Sequence, residues 1–207
     1  LDALEASVPA LDAAGIKHQS VFRNGDVYIS HARAFLLHKA METDADTFVF
    51  IDHDLSWEPQ DLVTLIQHPG EVASGDYRFK QDAEEYMAKL FTGEDGRPVV
   101  RADGTLRAHA VPAGFLKITR EGVERFKAAY PELLFGPKDE FIDLFNHGAY
   151  EGLWWGEDFA FSRRWRAMGG EIHLIPDLNI THHLPDKAFP GNLHEFLLRQ
   201  PGGRKAA

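Results

Sequence analysis

The chain has 207 residues, of which 44% are hydrophobic and 12% aromatic, enough for a sizeable core and too apolar for a disordered tail. Asp and Glu total 32 against 22 Lys and Arg, and the resulting net charge of -10 excludes a broad footprint on a nucleic-acid backbone while leaving small anionic ligands open. There is no Cys, which excludes disulfides and thiolate metal sites, so any metal must be held by oxygen and imidazole. No apolar stretch approaches the ~20 residues of a membrane span, and the start lacks the basic-then-apolar pattern of a signal peptide. The default expectation is a cytoplasmic protein without a transmembrane segment, at most peripheral at the inner membrane face. The absence of a leading Met implies a chain that begins inside a longer product.

Leu1, Leu4, Val8 and Leu11 repeat at helical spacing up to a stop at Gly15, so the chain opens in a helix. Residues 16–22 read as a strand, and a helix preceding it implies a further strand upstream of Leu1. Ser30 is the expected N-cap of a helix to about residue 42, which buries Phe35, Leu36 and Ala40 and carries Arg33 near its first turn. Residues 47–51 form an unbroken apolar run, expected of an inner strand in a mostly parallel sheet covered on both faces. It ends in Asp52 and Asp54, at the strand edge where ligands of open α/β sheets sit. Two carboxylates placed there repel each other and lose hydration, which calls for a cation. The alternative is that they cap the helix beginning at Glu58 and Pro59.

That helix carries Leu62, Leu65 and Ile66, and a short strand follows over 71–75. Gly93, Gly96, Pro98 and the pair Asp103-Gly104 break up residues 81–110, predicting a hairpin or mobile loop. A strand over 111–119, a helix over 120–130 and an aromatic, loop-rich stretch over 131–150 come next. Trp154-Trp155-Gly156-Glu157-Asp158 then leads into a helix over 156–168. Acids at a helix start are stabilised by its free N–H groups and dipole, so Asp158 is either a cap or a functional acid. The tryptophan pair is either core or a platform for a sugar ring or base. After a strand over 171–175 and Pro176 come His182 and His183, which are surface residues or, together with two carboxylates, ligands suited to Mn2+ or a similar ion.

In this order the motifs resemble those of the GT-A nucleotide-diphospho-sugar glycosyltransferases, particularly family-2-like bacterial and phage-associated members, over nearly the whole chain. Asp52-His53-Asp54 matches the family's metal-binding Asp-x-Asp, Gly156-Glu157-Asp158 its acceptor-side acidic motif, and Thr181-His182 its metal-binding histidine. The resemblance implies one α/β domain over 1–207 with a Rossmann-like, mostly parallel central sheet flanked by helices. Residues 1–80 would be the nucleotide and metal half and 111–207 the acceptor half. It implies Mn2+ or Mg2+ on Asp52, Asp54 and His182, and a nucleotide diphospho-sugar donor held by Arg33, Asp52, His53, Asp76, Lys80 and Gly114. A glycan or other hydroxyl acceptor would meet Trp154, Trp155 and Glu157, and Asp158 would be the general base of an inverting reaction, with Glu157 beside it. The family's first strand is missing before Leu1, and His53 stands where a small or acidic residue is usual. Two rival readings remain. A sugar-phosphate nucleotidyltransferase would need a glycine-rich phosphate signature that does not appear here, and a binding module of the same fold would bind glycan or nucleotide sugar without turnover.

Overall fold

A computed structural model describes residues 1–200. Helix α1 (Asp2–Ala13) turns at Gly15, whose φ of 69° favours glycine. Residues 16–28 form neither helix nor strand, contrary to the strand expected over 16–22. The segment pairs with no strand among the described residues, and polar residues separate Ile16 from Val21 and Phe22, leaving Phe22 61% exposed. Helix α2 (Ile29–Met41) starts after Tyr28 rather than at Ser30. Asp26 holds this start, accepting the Tyr28 N–H and binding Arg23 and His31. Its buried face is Ser30, Arg33, Ala34 and Leu37, displaced from the one expected.

Strand β1 (Thr47–Ile51) leads through Asp52-His53-Asp54 into β2 (Leu55–Trp57) and α3 (Pro59–Gln67). A capping box between Glu58 and Asp61 starts α3, so neither Asp52 nor Asp54 is its cap. The chain continues through β3 (Val72–Gly75), β4 (Lys89–Leu90), β5 (Leu106–Ala110) and β6 (Phe115–Thr119). The strand expected over 111–119 is shorter, because Pro112 to Gly114 form the approach to β6. Helix α4 (Arg120–Ala129) is capped by the Thr119 hydroxyl and is followed by two small hairpins, β7 (Leu134–Phe135) with β8 (Phe141–Ile142) and β9 (Gly148–Tyr150) with β10 (Leu153–Trp155). Then come α5 (Glu157–Ala167), β11 (Ile172–Ile175), β12 (Ile180–His183), β13 (Ala188–Gly191) and α6 (Leu193–Arg199).

The main sheet runs β1-β6-β3-β11-β5-β4, and β3 with β11 is its one parallel pair among the described residues. The expectation of a mostly parallel, Rossmann-like sheet is therefore wrong, and β1 is an edge strand rather than an inner one. The apolar run of β1 reports cover on both faces, which it has: Phe48 and Phe50 join the cluster beneath α2, α4 and α5, and Val49 and Ile51 face the cluster beneath α1 and α3. Burial on two faces says nothing about strand direction. β6 enters from a long excursion rather than from a helical crossover, so it can run against both β1 and β3. Because both pair antiparallel with β6, β1 and β3 point the same way.

Residues 89–110 are built into the sheet. Backbone bonds join Phe91 to Val99 and to Arg107, and β5 pairs with β11, so most of the segment expected as a hairpin or mobile loop is extended and hydrogen-bonded, with antiparallel bridges such as Val100 to Leu106 across the Asp103-Gly104 turn. A smaller sheet, β13-β12-β2, crosses from the last third of the chain to the segment after β1. Among the described residues no helix is long and apolar enough to cross a membrane.

Candidate functional site at the carboxyl end of β1

The pairing of β2 with β12 places His182 opposite Leu55 and bonds the His183 N–H to the Asp54 carbonyl at 2.8 Å. This is how a histidine far along the chain comes to face Asp54, with Nε2 3.5 Å from Oδ2. The His182 Nδ1 donates to the Arg78 carbonyl at 2.8 Å, which leaves Nε2 as the nitrogen turned toward the carboxylate. Lys80 lies on the same carboxylate oxygen, its Nζ 2.5 Å from Asp54 Oδ2. Burial works to raise the pKa of Asp54, but Lys80, and then His182, hold it below the ordinary carboxylate value. The neighbouring His183 faces elsewhere, its Nε2 meeting the Ser56 hydroxyl at 2.7 Å and tying the small sheet together.

Asp52 belongs to a second cluster. Arg33, 5% exposed, bonds Asp52 through Nη2 at 2.8 Å and Glu157 through Nη1 at 3.2 Å, with its guanidinium over the Phe145 ring. One buried cation thus joins α2, the end of β1 and the start of α5. Burial opposes its charge, yet Asp52 and Glu157 hold its pKa above the ordinary value. The three ligands expected for a metal do not converge: Asp54 and His182 meet, and Asp52 is taken by Arg33.

Gly114 backs Asp52. Its carbonyl accepts the Asp52 N–H at 2.9 Å, and its own N–H donates to the Tyr77 hydroxyl at 3.1 Å. A Cβ there would lie 2.3 Å from Tyr77 Oη and 2.6 Å from Asp52 Oδ2, so only glycine fits. Tyr77, 3% exposed, also packs edge-on against His182 at 5.0 Å between ring centroids. Sequence reasoning missed it, although it sits between Asp76 and Lys80. Asp76 faces inward at 2% exposure, accepting the N–H groups of Tyr77, Met87 and Ala88, and burial pushes its pKa up to about 7. It anchors the 76–88 excursion that presents Lys80, rather than opening on the site. His53 is exposed between the two aspartates.

Asp158 is half-buried, and burial with the neighbouring Glu157 charge raises its pKa to about 6 against the pull of the Phe159 N–H and Arg33. The tryptophan pair divides. Trp154 is 74% exposed, whereas Trp155 donates to the Tyr150 carbonyl at 3.3 Å and lies beside the Arg163 guanidinium that covers Tyr150. A cavity of about 490 Å3 alongside β12 shares Arg78 with this region but none of its carboxylates.

No protein-family profile and no curated protein matches the chain. Among solved structures the chain is similar to one described as the crystal structure of A197 from STIV, at 18% identity and a TM-score of 0.50, over 88% of this chain and 84% of that one. At that identity the likeness concerns the fold.

Proposed function

We propose that the protein is a metal-dependent glycosyltransferase that moves a sugar from a nucleotide diphospho-sugar to a hydroxyl acceptor, a reading that carries with it a cytoplasmic setting. The observation that carries the proposal is the facing of Asp54 Oδ2 and His182 Nε2 beside Lys80. Of the residues expected to hold Mn2+ or Mg2+, Asp54 and His182 fit: the second nitrogen of His182 is fixed by a backbone carbonyl, as is usual for metal-binding imidazoles. The ion supplies charge neutralisation for a departing diphosphate.

The remaining roles belong to the chain itself. Lys80 is a mobile point charge able to move from Asp54 to a phosphate oxygen. Arg33 is fully engaged and acts by positioning, keeping Asp52 and Glu157 fixed around the site. Asp158, with a pKa of about 6, is ionised at neutral pH yet basic enough to take a proton from an acceptor hydroxyl as it attacks, the requirement for a general base. Attack from that side inverts the anomeric configuration. Trp154 offers an exposed face for an acceptor ring.

A panel of nucleotide diphospho-sugars, each with and without Mn2+, tests the proposal by thermal shift, because a ligand that binds the native state raises the unfolding midpoint. At least one donor should raise it more with Mn2+ than the donor and Mn2+ do separately. A panel in which no donor shifts the midpoint would refute the proposal.

A further inference from the structure

We propose that His68, Asp103 and His173 form a zinc site at the opposite end of the sheet, independent of the site around Asp54. His68 follows α3 and precedes β3, His173 lies on β11 beside Ala73 of β3, and Asp103 is at the turn before β5. The cluster therefore gathers near the amino ends of β3 and β11, whereas Asp52 and Asp54 follow the carboxyl end of β1. One nitrogen or oxygen from each of the three residues lies within 4.8 Å of the others.

Two of the three edges of the cluster match a tetrahedral ion site, and among the described residues the His173 Nδ1 meets no other group than the Thr105 hydroxyl, at 3.4 Å. Asp103 Oδ2 is 3.4 Å from His68 Nε2 and 3.3 Å from His173 Nδ1. Hydrogen bonds of this kind are shorter, about 2.7–3.2 Å. The edge of a tetrahedron whose corners lie about 2.0–2.1 Å from a central zinc is roughly 3.3–3.4 Å. The His68 side chain is 9% exposed, and its Nε2 has no hydrogen-bond partner. Asp103 is aimed from behind: its Oδ1 accepts the Thr105 N–H at 3.0 Å and the Thr105 hydroxyl at 2.7 Å, leaving Oδ2 toward the imidazoles. Gly70 makes room for the second ring, since a Cβ there would lie 2.6 Å from His173 Cδ2. The adjacent Arg101 is paired with Glu171 at 2.8 Å, and Lys117 donates to the His68 carbonyl, so neither cation takes the Asp103 carboxylate. Two imidazoles and one carboxylate, without a thiolate, suit zinc better than the oxygen-seeking Mg2+ or Ca2+.

Zinc binding has one structural consequence. The His68 Nδ1 now accepts the Gly70 N–H at 3.0 Å, which puts the neutral ring's proton on Nε2. A metal at Nε2 displaces that proton to Nδ1, and the Gly70 N–H must turn to another partner. The bound ion would staple the Asp103 turn to the 68–70 loop and β11.

The test is calorimetric titration of Zn2+ into the full chain stripped with chelator, in an Asp54→Asn background that removes the other cation position, together with the Gly70 amide resonance. One Zn2+ per chain should bind, the Gly70 amide should shift, and Ca2+ should do neither. Adding Asp103→Asn, at an exposed turn where Oδ1 can still meet Thr105, should weaken zinc by at least about 100-fold, the upper range for loss of even a supporting partner. Adding His68→Gln should do the same. No stoichiometric zinc binding, or equal affinity with and without Asp103→Asn, would overturn the proposal, and neither result bears on donor binding at Asp54.

Discussion

Gly114 is the point at which Tyr77, Asp52 and the β6 approach come together, and a methyl group there has nowhere to go. Gly114→Ala should cost about 1–3 kcal/mol through forced repacking, read as a lower urea midpoint with an unchanged slope. It should also move the Tyr77 ring resonances, and an unaltered midpoint would mean that the backbone relaxes freely. Asp158 carries the pH dependence. Its folded pKa of about 6 lies above the ordinary 3.8, so the native state binds the proton more tightly than the unfolded state does. The contribution is fully present below about pH 4 and is lost as pH rises through about 6. Asp158→Asn should therefore raise the unfolding midpoint by a few degrees at pH 8 and by progressively less toward pH 4. If Asp158 is the base, transfer in the parent should also fall as pH drops through about 6, and the variant should lose that limb together with ~10²–10⁴-fold in rate. A variant with normal turnover would leave Asp158 only a helix-start acid. Asp52, Asp54 and His182 were legible as chemically distinctive residues after apolar strands, whereas Arg33, Lys80 and Gly114 entered only through the family resemblance, since alone they read as a solvated helix residue, a surface charge and a packing glycine. Tyr77, and the inward turn of Asp76, were not legible: a tyrosine among charged residues shows no periodicity, and burial at a strand end depends on which loop folds back over it.

Among the elements, the excursion after β3 and the β2 to β12 pairing position the chemistry. Asp76 accepts three backbone N–H groups across 77–88 and so fixes where Lys80 is presented. Asp76→Asn would set an amide N–H2 against one of those donors. Amide exchange at Met87 and Ala88 should quicken while exchange in β11 stays slow, and unchanged protection would remove the anchoring role. The helices were legible to within a residue or two wherever a cap lay close to the apolar pattern, as at Glu58 for α3 and Gly156 for α5. Helix α2 was displaced because its start is held by Asp26, upstream of the serine that looked like a cap. The expected strand over 16–22 failed for want of a partner, which a local reading cannot supply.

For the whole molecule, the sequence spoke clearly about layers and poorly about strand direction. Phe48 to Ile51 predicted a strand covered on both faces, which β1 is. The parallel order inferred from it was wrong, because β6 arrives from the 76–114 excursion and runs against its neighbours. Pairing direction depends on where the intervening β4 and β5 join the sheet, which the alternation within a single strand such as β5 does not report. The carboxyl end of β1 nonetheless becomes a meeting place, since β12, α2 and α5 all deliver side chains there. His68 and His173 stood out in no motif, and only the fold brings them to Asp103.

If Asp54 and His182 serve the departure of a diphosphate, the rate at which nucleoside diphosphate is released from the donor chosen by the thermal-shift panel, in Mn2+, must differ between the parent and Asp54→Asn. Release should depend on Mn2+ in the parent and fall by at least ~10²-fold in the variant with the fold intact. Equal rates in the two proteins, or release in the parent that is indifferent to Mn2+, would contradict that role.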